Sequence, residues 1–273
     1  MSKINEGFKF NHNYHSHCVL CRHATGTVSD YCDEAYRLGF LEWGVSDHGP
    51  LAPCWKSRMT MEEFLTIYLP EIRLNQEKYM GKMKVYSSLE IEYYPEYDKW
   101  YKDYLDRYHL DYLILGQHAL MKNNIWIDTF KGFELKDVYE YRDEVVRGLN
   151  SGYFKVLAHP DLFMLSLTRR GLKWTSELEQ VSRDIIEAAI KNNVYLELNI
   201  NGARRSKTFN EKGEETWVYP YLNFWRIASK YKDAKFILGS DSHKVEYLSD
   251  GKDLEVIEFC NKLGIKLEEK IEL

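Results

Sequence analysis

The chain has 273 residues, with 37 Lys and Arg against 42 Asp and Glu for a net charge of −5, and 44% of its residues are hydrophobic. That length suffices for one large buried core, and the acidic balance argues against a general nucleic-acid binder or a coat for anionic membranes. The opening Met1-Ser2-Lys3-Ile4-Asn5-Glu6 has no apolar signal core, and no run approaches the ~20 residues of a membrane span, so a cytoplasmic location is expected.

Taken in order, the segments alternate between strand and helix. Residues 8–14 read as a strand, followed by a helix over 29–38 that Ser29 caps and Gly39 stops. The second strand is 41–46. Thr60-Met61-Glu62-Glu63 is a capping box opening a long helix, with Pro70 expected to kink or break it. Residues 84–93 form the third strand, 96–108 a helix and 112–116 the fourth strand, and 121–133 reads as an inserted hairpin or loop. A helix over 135–150 leads to the fifth strand, 154–158. Ser176-Glu177-Leu178-Glu179 opens a helix ending near Asn192. The sixth strand is 195–199, the last helix 221–231 and the seventh strand 235–238. No repeat, low-complexity tract or linker interrupts the chain, so residues 1–273 are expected to form one domain. Such alternation implies parallel strands with helices outside, and chemistry at the C-terminal strand ends.

Seven of the nine histidines stand at or just after those ends. His15-Ser16-His17 and Asp241-Ser242-His243 each aim two ligands one way, because residues i and i+2 of a strand share a face. His23, His48, Glu90, His118 and His159 lie between them in the chain. A single histidine after a strand is usually a hydrogen-bonded or surface residue. The joint pattern points instead to a multi-metal site, since imidazole and carboxylate suit Zn²⁺, Fe²⁺ or Mn²⁺. His12 has the wrong strand parity, and His109 ends a helix, where a cation offsets the dipole. The five cysteines are odd in number and unframed, as in a reducing compartment. Cys18-Val19-Leu20-Cys21 would be half of a zinc site without its second half.

Two barrel chemistries fit these ligands. An amidohydrolase-type deaminase would need the H-x-H pair, two later histidines and a late aspartate. His23, His48 and His243 exceed that need and suggest a third ion, which suits a phosphoryl group and puts phosphoester hydrolysis ahead.

The chain resembles the PHP (polymerase and histidinol phosphatase) superfamily, and within it the monofunctional histidinol-phosphate phosphatase branch. The resemblance rests on His15-Ser16-His17, Cys21-Arg22-His23, Ser46-Asp47-His48-Gly49-Pro50, Leu89-Glu90-Ile91-Glu92-Tyr93 and Gly116-Gln117-His118. It continues through Ala158-His159-Pro160-Asp161-Leu162, the run from Glu197 to Arg204, and Gly239-Ser240-Asp241-Ser242-His243. It implies a distorted (β/α)7 barrel holding three divalent ions. His15, His17, Glu90 and Asp241 would hold the first; Glu90 would bridge to the second, held also by His118 and His159; His23, His48 and His243 would hold the third. The sequence departs from the family pattern at Asp47, Gln117, Pro160 and Asn201, none of which removes a ligand.

The expected reaction is hydrolysis of a small phosphate monoester, with hydroxide supplied by a bridging water of lowered pKa. Arg204, and second to it Arg169, would grip phosphoryl oxygens. Asp47 or His243 would protonate the leaving group. Glu92, less surely Asp161, would meet the cationic part of the substrate, with Trp55 or Trp126 closing over the ring. Rival readings are a PHP nucleotide phosphatase or exonuclease, which would need a basic groove, and a non-enzymatic metal-binding module, which would lack part of the ligand set.

Overall fold

The structure, a computed structural model, describes residues 3–51, 57–122 and 125–273. Seven parallel strands form its centre: β1 (His12–Asn13), β2 (Glu42–Val45), β3 (Lys84–Ser87, resumed at Glu90–Ile91), β4 (Leu113–Leu115), β5 (Phe154–Leu157), β6 (Tyr195–Asn199) and β7 (Phe236–Gly239). Each pairs in parallel with the next. The break in β3 is spanned by Ser88 N donating to Val45 O at 2.8 Å and Ile114 N to Leu89 O at 2.9 Å. The ring closes where Ser16 bridges Ser242, with Asp241 N donating to His15 O at 2.9 Å and His17 N to Ser242 O at 3.0 Å. This is the expected seven-stranded barrel. Its distortion lies in β3 and in β1, which pairs over two residues rather than the seven of 8–14.

Strand composition follows from burial on both faces. In β6, Leu196 and Leu198 join the layer under the helices, while Tyr195 belongs to a separate cluster inside the barrel. That inner cluster also contains Tyr14, Tyr86, Tyr112, Ile114, Val156 and Ile237. It fills the barrel below the polar strand ends. Tyr112 Oη donates to Tyr14 O at 2.5 Å directly across Gly44, whose missing side chain makes the room.

The helices mostly fall where the pattern puts them, with informative differences. The first, Val28–Arg37, is capped by Thr27 rather than Ser29, because only Thr27 has a partner three residues on, Asp30, to return the bond. Thr60 and Glu63 form the expected box. Pro70 does not break the helix that follows: a π-helical turn over Phe64–Tyr68 runs directly into Leu69–Lys78 and absorbs the missing N–H. Helices Phe163–Arg169 and Lys252–Leu263, and a hairpin of Lys207–Phe209 with Glu215–Trp217, are additions to the sequence reading. An inserted hairpin does form, but over Ala119–Lys122 and Ile125–Asp128 rather than 121–133. No helix among the described residues is long and apolar enough to cross a membrane.

A Cβ at Gly44 would stand 2.0 Å from Tyr112 Oη and 2.7 Å from Tyr14 Cα. Because one of these is backbone, Gly44→Ala should destabilise the protein by about 2 kcal/mol or more, read as a lowered denaturation midpoint with an unchanged slope.

Candidate metal centre

The C-terminal strand ends converge on one cavity of about 600 Å³, lined among others by His23, His48, Glu90, His118, His159 and His243. His15 and His17 lie just beneath, buried at 1% exposure. Neither His12 nor His109 lines it. Two of the expected ligands, His159 and Asp241, have left-handed backbone (φ 32° and 43°). That conformation costs roughly 1–2 kcal/mol in a residue other than glycine, and here it occurs where the chain leaves a strand and turns a side chain inward.

Glu90 is the hub. Its Oε1 lies 2.8 Å from His159 Nε2 and 3.2 Å from His118 Nε2. Its Oε2 lies 3.0 Å from His48 Nδ1, 3.4 Å from His15 Nε2 and 3.5 Å from His17 Nε2. The carboxylate thus faces two histidine groups with its two oxygens. Gly116 makes this possible, since a Cβ there would meet Glu90 Oε1 at 2.2 Å.

Outer groups fix the rings. Nδ1 of His15 meets Glu197 at 2.6 Å, Nδ1 of His17 meets Asp47 at 3.1 Å, and Nδ1 of His118 meets Glu92 at 2.8 Å. Nδ1 of His23 and of His243 meet the carbonyls of Cys21 and Asp241 at 2.7 and 3.0 Å. Each such bond places the proton on Nδ1 and leaves the Nε2 lone pair for the cavity, the arrangement of metal-ligating histidines. Glu197 also accepts from His159 N at 3.1 Å and Asn199 Nδ2 at 2.9 Å, and it occupies the space a Cβ on Gly239 would take.

This donor set fits divalent cations. His15 Nε2 and His17 Nε2 face each other at 3.1 Å, and His17 Nε2 is 3.0 Å from Asp241 Oδ1. Donor atoms each ~2.0–2.1 Å from a shared ion stand about 3 Å apart, whereas bare lone pairs at that distance repel. Ligand atoms of His15, His17 and Asp241, of His48, Glu90 and His118, and of His17, His48 and His243 group within 4.8 Å of one another. Cys21 groups in the same way with His23 and His243; the Cys18–Cys21 pair forms no centre of its own, as Cys18 Sγ donates to Asp47 at 3.0 Å. Five buried carboxylates, Asp47, Glu90, Glu92, Glu197 and Asp241, surround the cluster and need positive charge nearby. Burial opposes charge on His243, and beside His17 it pushes that ring down to about 3, leaving the neutral form that binds metal. At His15 and His118 the carboxylates outweigh burial, lifting the rings to about 10 and about 9, so that without a cation each Nε2 carries a proton, which a divalent ion would displace.

Several expected roles change. Arg204 turns from the cavity: its Nε donates to Asp250 at 2.7 Å and a terminal nitrogen to Tyr247 O at 2.8 Å. Its neighbour Arg205 lines the cavity instead, its guanidinium carbon 5.5 Å from the ring centroids of Phe130 and Tyr219 and its Nε donating to Tyr219 Oη at 2.7 Å. Nothing in the sequence distinguishes two adjacent arginines. Arg169 does stand at the cavity wall, bonded to Phe130 O at 3.3 Å.

Glu92 is fully buried, pairing with Arg58 and His118, so it orients the His118 ring rather than facing the cavity. Asp47, at 0% exposure, is committed to His17, Cys18 and its neighbour's amide, His48 N, at 2.8 Å. It is not a cavity residue, so it cannot protonate a leaving group directly. Of that pair, His243 faces the cavity. Asp161 is buried under Tyr221 N and Trp225 Nε1. Trp126 packs on Tyr94 (5.0 Å) and does not line the cavity; Trp55 and Cys54 lie outside the described residues. Glu197, Arg58, Arg205 and Tyr219 had no assigned role. Only Glu197 had a sequence signal, its place on an inward strand position.

The PHP domain model matches residues 13–201. The chain belongs to the PHP domain family. Among curated proteins this PHP chain is similar to one named "Probable histidinol-phosphatase" from Deinococcus radiodurans, 28% identical over 84% of this chain and 85% of that one. It is also 24% identical to the histidinol-phosphatase of Bacillus subtilis, over 84% of this chain and 92% of that one. Among solved structures, the histidinol phosphate phosphatase of Lactococcus lactis, complexed with zinc, L-histidinol and phosphate, shares the fold with a TM-score of 0.68 at 17% identity, covering 97% of this chain and 99% of that one.

Glu197→Gln should weaken metal binding about 10- to 100-fold, the usual cost of losing a carboxylate behind a ligating histidine. Chelator competition monitored by metal content checks this independently of turnover.

Proposed function

We propose that this PHP protein is a metal-dependent phosphomonoesterase that hydrolyses L-histidinol phosphate to L-histidinol and phosphate, a step of histidine biosynthesis in the cytoplasm. The observation that carries the reading is the Glu90-centred convergence of seven histidines and two carboxylates at one barrel mouth. The two curated relatives, each matched over most of its length, support the choice of substrate. Residues 1–273 act in this reading as one catalytic unit, since the first and last strands close the same ring.

His15, His17, Asp241 and Glu90 Oε2 would hold one ion, and His118, His159 and Glu90 Oε1 a second. His23, His48 and His243 would hold a third. Divalent ions bound there, zinc, iron or manganese, would neutralise phosphoryl charge and lower the pKa of water. The chain's own residues do the rest. Glu197, Asp47 and Glu92 hold His15, His17 and His118 in ligating orientation. Arg205, pinned through Nε to Tyr219 Oη with Phe130 nearby, would present its terminal nitrogens to phosphoryl oxygens, and Arg169, Lys131 and Lys244 add positive potential at the rim.

Phosphate release from histidinol phosphate should exceed that from nucleotide and sugar phosphates by at least tenfold in kcat/KM; equal rates across the panel would reduce the protein to a general phosphatase. Exhaustive chelation should abolish release and lower the melting temperature, with both restored by Zn²⁺, Fe²⁺ or Mn²⁺. Arg205→Ala should lower kcat/KM about 100-fold, whereas Arg204→Ala should act chiefly on thermal stability; the reverse outcome would return the phosphate contact to Arg204.

A further inference from the structure

We infer that Asp128 recognises the ammonium group of the substrate, and so sets its specificity. The inference rests on histidinol phosphate being that substrate. Asp128 ends the inserted hairpin, where strand register sets it opposite Ala119, the residue after His118. Thr129 locks this position, its N and Oγ1 both donating to His118 O at 2.9 and 2.7 Å. The ring of Phe130 stacks on the His118 imidazole at 6.1 Å and 18°. The hairpin end is therefore fixed to the metal centre.

Asp128 Oδ1 accepts from Phe130 N at 2.7 Å, which orients the carboxylate, and no cationic side chain among the described residues pairs with it. Yet Arg58, Lys131, Arg169, Arg205 and Lys244 line the same cavity. Its other carboxylates there, Glu90 and Asp241, are packed among imidazoles. A cavity so lined attracts a phosphate but repels any cation beside it. In histidinol phosphate the ammonium sits on the carbon next to the ester carbon, so it must come close to the phosphate-binding floor. Asp128 supplies a fixed anionic oxygen at that floor's edge, where a charge-assisted hydrogen bond forms with the ammonium.

The test compares histidinol phosphate with its desamino analogue, imidazolylpropanol phosphate, in wild type, Asp128→Asn and Asp128→Glu. Wild type should prefer the amine in kcat/KM by tenfold or more, mostly through KM. Asp128→Asn should bring the preference to within about twofold, and Asp128→Glu, which keeps the charge, should retain most of it. A preference unchanged in Asp128→Asn, including a parallel fall for both substrates, overturns the assignment and makes the residue a hairpin support. Equal wild-type rates on the two substrates overturn it while leaving histidinol phosphate a substrate. Wild type inert towards both but active on nucleotide or sugar phosphates sinks the substrate reading itself.

Discussion

One buried carboxylate organises the site. Glu90 lies within 3.5 Å of a ring nitrogen of five histidines, His15, His17, His48, His118 and His159, contributed by four other segments of the chain. A lone carboxylate at 1% exposure would be costly. Here it is offset by the rings and by whatever cations they hold, and the same burial keeps water from screening those interactions. Closure of the barrel, the glycine at 116 and the outer carboxylates all serve to bring these groups to one point and hold them there.

The barrel interior is divided along its axis. The lower part is a plug of tyrosines and aliphatic residues, packed closely enough that Gly44 has no room for a methyl group. The upper part is polar, with buried charge matched against buried charge. The plug gives the strand ends a rigid base, which a cluster of this kind needs: carboxylates and imidazoles at 3 Å tolerate little displacement. The left-handed residues at His159 and Asp241 sit in the upper part, where local backbone cost is outweighed by what the side chains reach.

The inserted hairpin joins this scheme through His118. Its Thr129 grips that residue's carbonyl and its Phe130 covers the ring, while Phe130 also lies 5.5 Å from the Arg205 guanidinium carbon. Ligand geometry and the cavity wall are therefore built from the same few contacts. This is why Glu92 and Asp47, which look like free acids in the sequence, are found behind the rings: both are used to hold His118 and His17.

The order of strands and helices and the ligand chemistry were legible in the amino-acid sequence, because both are local. Strand periodicity tells which residues share a face, and His15-Ser16-His17 carries its own geometry wherever its strand ends up. Arg204 and Arg205 show the limit. They differ only in which way a short turn, Gly202–Arg204, points them, and that depends on Asp250 and Tyr219 from distant segments. The places of Glu197, Arg58 and Asp128 were likewise decided by the tertiary structure, since each depends on a partner or a cavity wall that only barrel closure brings near. Residue types and spacing set what could bind; packing across the barrel set which side chains face the cavity and which stand behind it.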